Sequence, residues 1–236
     1  MVITLSRQAG CGGEETAQLA AERLGIQVAD RTILERIAQH EGLPVEDLAV
    51  FDDVAPGAIE AVIAEWRTSV NQAVYLRRVA HTLLLLEHED NVLIMGRGAA
   101  FVLTDPGTLH VRVIAPMPCR VARLVQKKGL SAAEAERALK HSDEARVRFV
   151  RQVFGADIDS PSHYDLVINT AELAVEDATE MVVVAASRKA ARRAVATETP
   201  EDFLSHLLHF RRRPRFPRVS ETTWQHCRRH LRPSRF

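Results

Sequence analysis

Short apolar runs alternate along this chain with longer stretches whose apolar residues recur every three or four positions. Val2–Ser6, Ile26–Ala29, Asn91–Met95, Thr108–Ala115 and Asp165–Asn169 read as short, buried strands. Between them, Glu14–Leu24 places Ala17, Ala20, Ala21 and Leu24 on one helical face, and Gly25 suits a helix stop. Thr32–His40, with Asp30 as a candidate cap, Leu43–Val50 and the long Ala58–Glu89 read as helices. Met117–Lys128, Ser131–Phe154 and Ala174–Ala194 complete the helical set. Strands alternating with helices predict an α/β fold, a parallel sheet with helices on both faces. Beyond Ala196 prolines and arginines rise and the periodicity fades, so the pattern predicts one domain over 1–196 and an extension over 197–236.

In such sheets ligands bind beyond the carboxyl ends of the strands. Three stretches stand there: Arg7–Gly13, Asp30, and Gly96–Arg97. The first, RQAGCGG, joins a strand to a helix. Gly10, Gly12 and Gly13 let backbone approach an anion, and the helix start offers free N–H groups; a plain tight turn is the other reading. An arginine directly after the strand NVLIM is costly to desolvate without an anionic partner, which marks Arg97, with Gly96 and Gly98 leaving room around it.

Composition changes this picture in two places. Hydrophobic residues make up 46% and charged residues 26%, ordinary for a globular protein, and no apolar run is long enough to cross a membrane. Cys11, Cys119 and Cys227 are far apart and form no C-x-x-C pair, so neither zinc nor a disulfide framework is expected, and a reducing cytoplasm is. The net charge of zero hides an asymmetry: residues 211–236 hold nine arginines and one acid, Glu221, leaving 22 basic and 30 acidic residues over 1–210. That tail, HFRRRPRFPR and beyond, suits an acidic partner, self-association with the acidic body, or nucleic acid. Disorder is a further reading, and Trp224 and Leu231 hint at docking.

ITLSRQAGCGGEETAQLAAERLG, VADRTILER, VLIMGRGAA and DEARVRFVRQVFGADIDSPSHYDLVINT, in that order, resemble the cytidylate kinase-like family over about residues 1–185. The resemblance implies a three-layer P-loop nucleoside monophosphate kinase fold with five parallel strands, a nucleotide-binding insert and an arginine-bearing helical lid. It implies phosphoryl transfer from ATP, with Mg2+, to a nucleoside monophosphate, CMP or dCMP favoured. True cytidylate kinases would carry the loop lysine at Gly13 and a magnesium-coordinating threonine near Glu15. Both are absent here, and family members commonly lack that lysine.

Arg7, at the loop entrance, is the candidate substitute, since a guanidinium grips phosphate oxygens in a bidentate way. Glu14 and Glu15 suit the helix dipole but repel phosphate unless they point away or hold a metal. Thr16 is the nearby hydroxyl for magnesium, with Ser6 as an alternative. Cys11 reads either as a redox-sensitive thiol at a helix start or as a small residue in place of the family's serine. The resemblance assigns Asp30, Arg36 and Arg97 to the acceptor, and Arg120, Arg123, Arg146 and, more weakly, Arg151 to a lid closing over the phosphates. The alternative for these arginines is a salt-bridged exposed helix, with Glu134, Glu136 and Glu144 as partners. Asp143 either holds an arginine or binds magnesium, and Asp157 and Asp159 approach the nucleotide. Two rival functions remain open: a nucleotide-binding sensor or assembly protein that no longer catalyses, and a nucleic-acid binder working through the tail.

Overall fold

The computed structural model of the chain describes residues 1–29 and 90–196, together with residues 80, 82–84 and 86–88 between them. The helices expected over Thr32–His40 and Leu43–Val50, most of Ala58–Glu89, and the candidate residues Asp30 and Arg36 lie outside the described residues. So does the tail: the chain divides into units Met1–Thr197 and Glu198–Phe236, and the second is not described.

In chain order the elements are β1 (Val2–Arg7), α1 (Gly13–Leu24), β2 (Gln27–Ala29), β3 (Val92–Met95), α2 (Ala99–Val102), β4 (Leu109–Ile114), α3 (Met117–Lys128), α4 (Ala132–Phe154), a 3-10 turn (Pro161–His163), β5 (Leu166–Asn169) and α5 (Val175–Ala196). The five strands form one parallel sheet in the order β2-β3-β1-β4-β5. The strand positions expected from the apolar runs hold to within a residue or two. α3 matches its expected span, and α4 begins one residue later because Ser131 is its cap. Ser131 accepts from the Glu134 amide while the Glu134 carboxylate accepts from the Ser131 amide, so two otherwise unpaired donors are satisfied together.

Register decides which face each strand residue takes. Ile3 aligns with Leu93 and Leu109, and Leu5 with Val111, so these side chains share one face. They pack in one core with Ala17, Ala20 and Ala21 of α1 and Ala178, Val182 and Ala186 of α5. The small side chains of both helices let their backbones approach the sheet closely. Thr4 aligns with His110 and Ser6 with Arg112, on the opposite face. Arg7, one residue on, returns to the α1 face beside Val113. Among the described residues no helix is long and apolar enough to cross a membrane.

Candidate functional site

The loop between β1 and α1 reverses tightly. Gly10 and Gly12 take φ of 73° and 83°, which favour glycine, and Gly12 caps α1 with no side-chain hydrogen bond. A Cβ on Gly13 would lie 2.9 Å from the Arg7 Cβ, so the third glycine is required by the arginine beneath it. A second tight turn follows β3, where Gly96, Arg97 and Gly98 all have positive φ, 69°, 54° and 68°. For Arg97, a buried non-glycine residue, that backbone is an uncommon one held by its surroundings. A Cβ on Gly98 would press into the Phe154 ring, 2.6 Å from its Cζ.

The two turns sit side by side because β1 and β3 are neighbours, and Arg7 spans them. Its Nη2 donates to Glu14 Oε1 at 2.9 Å, and its Nη1 lies 3.7 Å from where a Gly96 Cβ would stand. The acids of the helix start are thus each matched to a cation: Glu14 to Arg7, and Glu15 to Lys127 of α3 at 2.7 Å. Burial opposes ionisation of Glu15, but the Lys127 bond, the helix amide and Arg123 together hold its carboxyl below the usual range. Lys127 is held above its usual value by the same bond. The repulsion of phosphate expected from these acids is reduced at its source.

Arg120 and Arg123, two of the expected lid arginines, do not belong to a salt-bridged exposed face. Glu136 and Glu144 pair instead with Lys140 and Arg148, and Glu134 serves the cap. Arg120 is 4% exposed; it donates to Ala115 O at 2.9 Å, Ala9 O at 3.2 Å and Asp143 Oδ2 at 2.5 Å. Arg123 donates to Cys11 O at 3.1 Å, to Thr170 Oγ1 at 3.0 Å and to Thr170 O. Both arginines therefore touch the backbone of the glycine loop from behind. Asp143 also accepts from the Ala9 amide at 3.3 Å, and Arg146, one turn on, brings Nη1 to 3.7 Å from Asp143 Oδ1. Arg151 is exposed near the end of α4.

Three expected residues bond to groups of the protein itself. Ser6 points to the opposite face from Arg7 and accepts from Arg112 Nη1 at 2.9 Å. Cys11 is buried, with Sγ 3.4 Å from Val113 O, and burial pushes its thiol up rather than down. The helix start and nearby arginines pull the other way and lose to desolvation, which favours the reading of Cys11 as a small packing residue. Thr16 is fully buried and donates to Gly12 O at 2.9 Å within the first turn of α1.

The two residues expected to hold magnesium, Thr16 and Asp143, already bond within the protein. The Thr16 hydroxyl is turned to its own helix, and the Asp143 carboxylate is shared by Arg120, Arg146 and a backbone amide. Among the described residues no cluster of three or more His, Cys, Asp or Glu converges on one point.

Two participants were missed from the sequence. Arg112, a charged residue inside the apolar run TLHVRVIA, is 4% exposed, ion-paired with Asp159 and 5.6 Å from the Tyr164 ring centroid. Its position within a buried strand was the available signal. Asp157, the other acid in that loop, accepts from the Asp159 amide at 3.0 Å. Tyr164 stands against Phe101, which stacks on Phe154, so an aromatic group connects this pair to the Gly98 turn. Thr170, directly after β5, carried no signal beyond its place at a strand end.

A protein-family model described as the cytidylate kinase-like family matches residues 2–172. A cytidylate kinase of Methanobrevibacter smithii is 27% identical over 185 residues, covering 78% of this chain and 96% of that protein. A cytidylate kinase of Methanopyrus kandleri is 25% identical, covering 79% and 92%. Among solved structures, an uncharacterized protein from Eubacterium ventriosum aligns over 80% of this chain and 98% of its own, with a TM-score of 0.61 at 17% identity, a likeness of fold.

Proposed function

The chain belongs to the cytidylate kinase-like family, and on that premise we propose that it transfers the terminal phosphoryl group of ATP to a nucleoside monophosphate, CMP or dCMP, in the cytoplasm. The observation that carries the reading is the meeting of two glycine turns at the carboxyl ends of adjacent parallel strands, with Arg7 spanning them and Arg97 on the second. Two phosphate-bearing substrates must meet head to head in such a reaction, and two adjacent anion sites meet that need.

In this reading the amides of Gly10–Gly13 and the start of α1 receive the donor phosphates. Arg7 adds the charge that a loop lysine would supply, and its bond to Glu14 exchanges for phosphate oxygens. Arg97 and Arg36 hold the acceptor phosphate, and Asp30 accepts hydrogen bonds from the acceptor's sugar or base. Arg146 acts as the lid residue that stabilises the transferring group, while Arg120 and Arg123 support the loop. The acceptor phosphate is itself the nucleophile, so the protein's task is positioning and charge neutralisation. Magnesium enters as part of the nucleotide complex.

The test is ADP release by the purified protein with magnesium-ATP and CMP, dCMP, UMP, AMP or GMP in turn. Turnover that depends on a pyrimidine monophosphate and falls sharply in Arg97→Ala at acceptor concentrations near the parent KM is the expected result. ATP binding without turnover on any acceptor would replace this reading with that of a sensor.

A further inference from the structure

We infer that Thr170 and Arg123 are positioning residues of the glycine loop, acting through the Cys11 carbonyl to aim the loop's amides at the donor phosphates; the inference rests on the phosphate reading above. A trans peptide is planar, and its C=O and the following N–H point in opposite directions. Whatever fixes the Cys11 carbonyl therefore also fixes the direction of the Gly12 N–H. The Cys11 oxygen accepts from the Thr170 hydroxyl at 2.6 Å and from Arg123 Nη1 at 3.1 Å. Arg123 Nη1 also donates to the Thr170 hydroxyl at 3.0 Å, and its Nη2 donates to the Thr170 carbonyl. One guanidinium thus holds the threonine and the loop in a single planar fork. Arg120 does the same two peptides earlier, on Ala9 O, which fixes the direction of the Gly10 N–H.

The anchor itself is rigid. Thr170 is fully buried, and its amide continues the sheet by donating to Ile114 O at 2.9 Å. The loop is thereby tied to β5, at the far side of β4 from β1. Glycines at 10, 12 and 13 give the loop freedom to bind and also freedom to collapse. Bonds to its carbonyls, on the side away from the ligand, remove the second without obstructing the first. A lysine would grip phosphate directly; here the orientation of the amides is fixed beforehand from behind.

The test compares Thr170→Val, Thr170→Ser and Arg123→Lys with the full-length protein, measuring the dissociation constant for magnesium-ATP by calorimetry alongside thermal unfolding. Thr170→Val keeps the shape and removes the hydroxyl. It is expected to weaken ATP binding roughly tenfold, while Thr170→Ser stays within about twofold of the parent. Arg123→Lys keeps the charge and loses the fork, and is expected to weaken binding at least as much as Thr170→Val. ATP binding unchanged in Thr170→Val and nearly retained in Arg123→Lys would overturn the inference and make Arg123 a direct phosphate ligand. Equal losses in Thr170→Ser and Thr170→Val would overturn it too, as a general packing effect. Failure of the parent protein to bind ATP would instead remove the phosphate reading, and this inference with it.

Discussion

Arg97 concentrates two costs in one residue: a charge with little exposure and a left-handed backbone. Both are tolerated where surrounding structure and an anion compensate. Arg97→Ala is expected to raise the acceptor KM about 10- to 100-fold, the loss of one or two charge-assisted bonds, with little change in ATP affinity. Steady-state kinetics with each substrate varied in turn checks it. Arg7→Ala is expected to show the converse, a raised KM for ATP. Cys11, buried with its thiol pushed up, is expected to resist alkylation in the native protein while the more exposed Cys119 reacts first, as peptide mass analysis after a short iodoacetamide pulse would reveal.

At the scale of elements, α4 is fixed at both ends. The Ser131–Glu134 box secures its start, and Ser131→Ala is expected to cost about 1 kcal/mol in chemical denaturation. At its other end Phe154 fills the space over Gly98, stacked on Phe101 with centroids 5.3 Å apart. Gly98→Ala puts a methyl group into that ring and asks alanine for φ near 68°, so a loss of about 2–3 kcal/mol is expected, read by the same denaturation curves. Because Gly98 adjoins Arg97, acceptor binding should weaken along with stability.

Across the whole molecule, the sheet separates chemistry from support. The glycine turns lie past the carboxyl ends of the strands, while His110, near the start of β4, shares a 2.7 Å hydrogen bond with Thr4 far from them. Burial holds His110 below its ordinary value of 6.5, and the nearby Asp165 only partly offsets that. Between the two values the unfolded chain binds a proton that the folded one does not, so stability rises with pH there. The contribution is present above 6.5 and is lost as pH falls through the lower folded value. His110→Gln is expected to flatten this part of the stability profile, measured by denaturation from pH 7 downward, and to leave ATP binding unchanged.

The order of strands and helices was legible in the sequence because burial on one or both faces imposes a period on the residues themselves. The three glycines after β1, Arg7 and Gly96–Gly98 were legible for a related reason: a tight turn at a strand end restricts which residue types fit. Ser131 was read as the first residue of α4, one position before the helix it caps. Tertiary structure alone decided the partners. Strand order brings β3 beside β1 and β5 two strands away, and register sends Ser6 and Arg7 to opposite faces. Arg120 and Arg123, similar in sequence to lid residues, reach the loop carbonyls because α3 packs behind it. Arg112 and Asp159, 47 residues apart, likewise meet only in the folded chain. Local pattern follows from the period of the backbone. Which charge faces which carbonyl depends on how distant elements pack, and no neighbouring residue records it.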